Sequence, residues 1–157
     1  MPPPHTKNIV AVVLQRRGRT ALLRRSDAVS HDNGLWHCVT GFLEPGVSPL
    51  EQALAEVLEE TGLRVADLVS LDEGPVVELV DAGANTWQVH TFRGETLVKR
   101  LAINWEHDAY RWVTRRTAPG FRQVSWLKDV MDAVGAHERL QPAPASRSGA
   151  MPEVDWS

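Results

Sequence analysis

"GFLEPGVSPLEQALAEVLEETGL", residues 41–63, holds one helix together with its start and stop signals, and the rest of the chain can be read outward from it. Ser48 suits the N-cap, Pro49 the first helical position and Glu51 the third, which completes a capping-box pattern. The helix should run to about Thr61 and end at Gly62, a residue free to adopt the left-handed cap conformation. With about 100° between successive residues, Glu56, Glu59 and Glu60 share one side, and Leu50, Ala53, Leu54, Val57 and Leu58 lie opposite. The expectation is a helix with one face for a core and one purely acidic face. No basic side chain occurs from Ser48 to Leu63. Like charges at i, i+4 cost a helix a few tenths of a kcal/mol, and acids near its C-terminal end oppose the macrodipole. Two readings stay open on the helix alone: a solvated face, or a cage of hard oxygen ligands for Mg²⁺ or Mn²⁺.

Upstream, "NIVAVVL" (residues 8–14) is a β-branched apolar run that reads as a strand buried on both faces. "QRRGR" turns at Gly18 and "TALLRRS" returns, so residues 8–26 form a hairpin. "DAVSHDNG" is a polar loop, and "LWHCVTGFLE" is a strand interrupted at Gly41. Downstream, "LRVADLVSL" and "PVVELV" are strand-like and separated by "DEGP". "DAGAN" is a turn, "TWQVHTFRGETL" a strand into residue 93, and "AYRWV" a short strand after residues 101–107. "SWLKDVMDAVG" has helical apolar spacing at Trp126, Leu127, Val130, Met131 and Val134, with Gly135 as its stop. Strands dominate around two helices, so the class is α+β, a mixed sheet in an α/β/α sandwich.

The chain has 157 residues, the length of one domain, and 43% apolar residues, enough for a core without staples. Residues 1–6 read as a disordered start, 7–140 as the domain, and 141–157, rich in Pro, Ala and Ser, as a disordered tail. A net charge of -3 gives no broad basic surface for a nucleic-acid polymer or a membrane. The basic residues come instead in pairs, among them Arg24-Arg25, which can grip a phosphate or finish a solvated strand end. Cys38 is the only cysteine, which rules out an intramolecular disulfide and fits a reducing, cytoplasmic setting.

The turn before the helix, "VTGFLEPG", brings a main-chain carbonyl to the acidic face. In register over residues 41–63, Gly41, Glu56, Val57, Glu59, Glu60, Gly62 and Leu63 resemble the Nudix box, G-x5-E-x7-R-E-U-x-E-E-x-G-U. The likeness of element order extends over roughly residues 7 to 137. It implies the Nudix fold, a Mg²⁺ ion (Mn²⁺ substituting) held by Glu56, Glu59 and Glu60 with a carbonyl of Thr40 or Gly41, and hydrolysis of a nucleoside-diphosphate-X substrate. Two positions depart from the box: Val47 stands for its first glutamate and Ala55 for its arginine. In the family that arginine orients the first helix glutamate, here Glu56. Glu44 and Arg64 are nearby candidates to compensate. The departures leave an alternative reading, a weakened or inactive Nudix-like module that binds a nucleotide or metabolite.

A narrower likeness, carried by "LLRRSD", "LWHCVTGFLEPG" and "NWEHDAYRWV", is to the Nudix subgroup acting on dihydroneopterin triphosphate or dATP. It marks Arg24, Arg25 and Trp36 as substrate-side residues. It marks Glu106, with Glu59 and Glu60, as a catalytic or metal-binding carboxylate, and leaves His107 between a structural and a functional role. Tyr110 and Trp112 read as core or cleft wall, and Trp87 as either core packing or a stacking surface. The family also implies a small nucleotide-like substrate and, commonly, a homodimer.

Overall fold

A computed structural model of the chain describes residues 5–136; residues 1–4 and 137–157, with the tail expected at 141–157, lie outside the described residues. Seven strands form one mixed sheet: β1 (Thr6–Arg16), β2 (Arg19–Arg25), β3 (Trp36–His37), β4 (Val39–Phe42), β5 (Leu68–Val80), β6 (Thr86–Thr96) and β7 (His107–Val113). Two helices, α1 (Pro49–Thr61) and α2 (Leu127–Val134), pack on it. The spatial order is β3-β2-β1-β6-β5, with β4 also on β1 and β7 on β2. β1 and β6 run parallel over ten paired residues, and the remaining strand pairs are antiparallel.

The apolar run of β1 is buried on both faces, and its residues alternate between two cores. Ile9, Ala11 and Val13 join Leu127, Val130 and Met131 of α2. Val10, Val12 and Leu14 join Ala53 and Val57 of α1, with Phe92 and Leu63. A strand with a packed layer on each side gains by being apolar at every position, which is why β1 shows no alternation in sequence. The expected α/β/α sandwich is therefore present. Among the described residues no helix is long and apolar enough to cross a membrane.

The hairpin is present but open. Arg17 and Gly18, with φ of 50° and 79°, make the turn, yet β1 and β2 pair only at Gln15↔Thr20 and Arg16↔Arg19. Residues 36–42 fill the gap between the splayed strands. They run antiparallel to β2 (Leu23↔His37), reverse at Cys38, and run antiparallel to β1 (Val12↔Val39 to Ile9↔Phe42). The interruption expected at Gly41 thus falls at Cys38, where the chain changes partner, and Gly41 sits within β4. Two other expectations change. Residues 65–67 form a 3₁₀ turn instead of strand. "DEGP" lies inside a continuous β5, absorbed by an irregularity between Glu73 and Val76.

Helix α1 has the predicted ends: Ser48 and Glu51 form the reciprocal capping box, and Gly62 caps with φ 77°. Its orientation is the surprise. Leu50 and Leu58 are 47% and 51% exposed, while Glu60 is 1% exposed. The helix packs through Ala53 and Val57 and turns part of its acidic side inward.

Candidate functional site

Glu60 lies close enough to the reversal at Cys38 for its charge to act on that thiol, and neither carboxylate oxygen has a hydrogen-bond partner among the described residues. A buried carboxyl without a partner favours its neutral form. Burial pushes Glu60 well above the ordinary carboxylate range, and the charges of Glu106 and Glu56 add to this. Glu56 is raised by burial; the adjoining Glu60 carboxyl and then the hydrogen bond from Gln52 act against this, and the charges of Glu59 and Glu106 add to it. Glu106 is raised by burial and by Glu59. A carboxylate oxygen of Glu60, one of Glu106 and a ring nitrogen of His107 lie within 4.8 Å of one another. His107 Nδ1 is likewise buried without a hydrogen-bond partner, and burial lowers the ring's pKa to about 4, leaving it neutral near pH 7. Acids converging on one buried point, with orphaned atoms, fit a divalent cation.

Other elements bring the remaining predicted residues in. Gly41 and Thr40 reach the site on β4, and a Cβ on Gly41 would overlap the Glu56 carboxyl, so only glycine leaves that group room. Glu59 is exposed on α1. Glu106 ends the segment between β6 and β7, which has neither helix nor strand yet is tied at several points. Tyr110 Oη accepts from Leu101 N at 3.1 Å, and Trp112 Nε1 donates to Lys99 O at 2.8 Å. Ser26 N and Oγ donate to the carbonyls of Glu106 and Trp105 at 2.8 and 2.7 Å. Tyr110 and Trp112 therefore act as anchors for the approach to Glu106, a role that spacing alone did not reveal.

A cleft of about 880 Å³ opens beside the acids, lined by Arg25, Thr40, Gly41 and Glu106 together with Phe42, Trp87, Trp105 and Trp126. Arg25 Nε donates to His31 O at 3.0 Å. Arg24 and Trp36 are not among the lining residues: Arg24 pairs with Asp108 at 2.7 Å and lies over the Trp36 ring, which packs edge-on against Phe121. Trp87 is half-buried in the cleft wall, its Nε1 donating to Asp81 at 3.0 Å. A residue that the sequence reading passed over is Gln52, 6% exposed, whose Nε2 donates to Glu56 Oε2 at 2.9 Å. Its i, i+4 spacing from Glu56 was the available signal.

A family model for the NUDIX domain matches residues 4–134. The chain belongs to the Nudix family of hydrolases. The asymmetrical bis(5'-nucleosyl)-tetraphosphatase of Rattus norvegicus is 31% identical over 134 residues, covering 79% of this chain and 82% of that protein. The chain spans only 33% of another relative, an octanoyltransferase from Myxococcus xanthus, 37% identical over 125 residues. Among solved structures, the MutT protein from Methanosarcina mazei Go1 matches with a TM-score of 0.73 at 22% identity, covering 89% of this chain and all of that one. The E. coli dihydroneopterin triphosphate pyrophosphohydrolase matches with a TM-score of 0.67 at 20% identity, covering 83% and 99%. At such identities these two likenesses speak for the Nudix fold.

Proposed function

We propose that the chain hydrolyses a diphosphate linkage in a nucleoside-diphosphate-X or pterin triphosphate substrate. It would use Mg²⁺, or Mn²⁺ in its place, held by Glu56, Glu59 and Glu60 with a main-chain carbonyl of Thr40 or Gly41. The observation that carries this reading is Glu60, a fully buried carboxyl with no hydrogen bond, beside two further acids whose charges oppose its ionisation. Burying such an ion costs several kcal/mol unless an opposite charge offsets it, and no salt bridge to Glu60 is present among the described residues. When bound, a divalent cation supplies charge neutralisation for phosphate oxygens and lowers the pKa of water.

The remaining work falls to the chain's own groups. Glu106, on the cleft wall, is the favoured acceptor for the proton of the attacking water, and Glu59, exposed on α1, is the other candidate carboxylate. Arg25 lines the same cleft and can donate to a phosphate oxygen, whereas Arg24 is engaged by Asp108. Phe42, Trp87, Trp105 and Trp126 provide apolar ring faces for a planar base or pterin. The tetraphosphatase name of the Rattus norvegicus relative supports a polyphosphate substrate.

Val47 and Ala55 keep the non-catalytic binding module as the competing reading. The test is phosphate or pyrophosphate release at alkaline pH from dNTPs, dihydroneopterin triphosphate, nucleotide sugars and dinucleoside polyphosphates, with Mg²⁺ or Mn²⁺. Metal-dependent turnover of at least one of them is expected. Tight binding across the panel with no turnover would identify a binding module and end the catalytic reading.

A further inference from the structure

Glu56 lies among other acids, so an unrestrained carboxylate there would swing away from them. Two contacts from outside the acid cluster hold it. On one side is the Gly41 main chain, where a Cβ would overlap the carboxyl. On the other is Gln52, one turn earlier on α1, with Nε2 2.9 Å from Glu56 Oε2. The Gln52 Oε1 in turn accepts the Glu44 main-chain N–H at 3.0 Å. The amide has one sensible orientation. Glu44 presents a donor and the carboxylate presents acceptors, so a flipped amide would make two repulsive contacts. One buried side chain therefore ties the loop before α1 to the first glutamate of the cluster. Neither sequence candidate does this with its side chain. Arg64, 76% exposed, lies 3.9 Å from Asp67, and Glu44 contributes only its N–H. Ala55 has no group to offer.

We infer that Gln52 is the positioning residue of the cation site, fixing the Glu56 carboxylate over Gly41 in place of a side chain at position 55; this rests on the function proposed above. Gln52 touches neither substrate nor cation and acts through Glu56 alone. The experiment measures Mn²⁺ affinity from the EPR signal of free Mn²⁺, for wild type, Gln52→Met and Gln52→Glu, with melting curves of each metal-free protein to establish that it is folded at the assay temperature. Methionine keeps the volume and deletes the donor, and glutamate keeps the shape and sets an acceptor against Glu56. The Mn²⁺ dissociation constant should rise about 10–100-fold in Gln52→Met and at least as far in Gln52→Glu. In a Glu56→Gln background the Gln52→Met change should alter affinity less than about twofold, because the two act as one unit. Wild-type affinity in both single variants overturns the inference. So does an undiminished loss in the Glu56→Gln background, which would mean that Gln52 acts on the fold. Absence of Mn²⁺ binding by the wild type removes the proposed cation site itself, and the inference with it.

Discussion

Replacing Glu60 by Gln asks whether the buried acid is kept for the fold or for a cation. The swap preserves shape, removes the charge and adds an amide that can donate to Glu56 or Glu106. A carboxyl whose folded pKa lies above its unfolded value of about 4.5 favours folding fully below that value, and this contribution is lost as pH rises through the folded value. Metal-free wild type should therefore soften as pH rises above about 4.5, and Glu60→Gln should soften less. If about 1–3 kcal/mol of the several kcal/mol that a buried ion costs is recovered, Tm in chelator at the alkaline end rises by roughly 3–12 °C for a domain of this size. With Mn²⁺ the order reverses: at a hundred times Kd the wild type gains about 2.7 kcal/mol, on the order of 10 °C, and the variant gains little. Melting followed by circular dichroism, with chelator and with saturating Mn²⁺, reads both arms. A variant that melts below wild type in chelator at alkaline pH, or that keeps the wild-type Mn²⁺ gain, refutes the reasoning.

Glu106→Gln should lower metal-dependent turnover by about 10²–10⁴-fold with the melting temperature held or raised; near-normal turnover would remove Glu106 from the chemistry. Arg25→Ala should lower kcat/KM by about 10–100-fold, the worth of a charged hydrogen bond. Arg24→Ala, which breaks an exposed pair worth about 0–1 kcal/mol, should fall within a few-fold of wild type; equal losses would undo the distinction between the two arginines. Burial, helped by the charge of Arg25, lowers His37 to about 3, so its share of stability is complete above about pH 6.5 and is lost at about 1.4 kcal/mol per pH unit as pH falls toward 3. His37→Phe keeps a ring against the edge contact with Trp126, and its Tm advantage over wild type should grow from pH 6.5 to pH 4; parallel pH profiles in the two proteins would contradict a buried neutral imidazole.

What was legible in the sequence was what is local. Ser48, Pro49, Glu51 and Gly62 mark the ends of α1 because capping is settled within a turn of chain. The acids stood out by spacing, and β1 by its unbroken apolar run. What escaped depends on partners distant in sequence. The break at Cys38 exists because residues 36–42 exchange β2 for β1, and no local signal encodes a change of partner. The face of α1 was misjudged because apolarity assigned Leu50 and Leu58 to the core, whereas the site draws Glu60 inward. The packing of Trp36 on Phe121 also escaped, because it depends on pairing with residues 122–124. Gln52 was overlooked because an uncharged residue in an acidic helix carries no chemical label.

The thiol at the strand reversal gives the chain a built-in reporter. Cys38 is its sole cysteine, 2% exposed, and burial together with the charge of Glu60 raises its pKa far enough to keep it protonated and unreactive while the strands stay closed. An alkylating reagent can reach it only when residues 36–42 lift from β1 and β2. The labelling rate is therefore a clock for local opening at the acid cluster, and a ligand that binds the closed form should slow that clock in proportion to its occupancy.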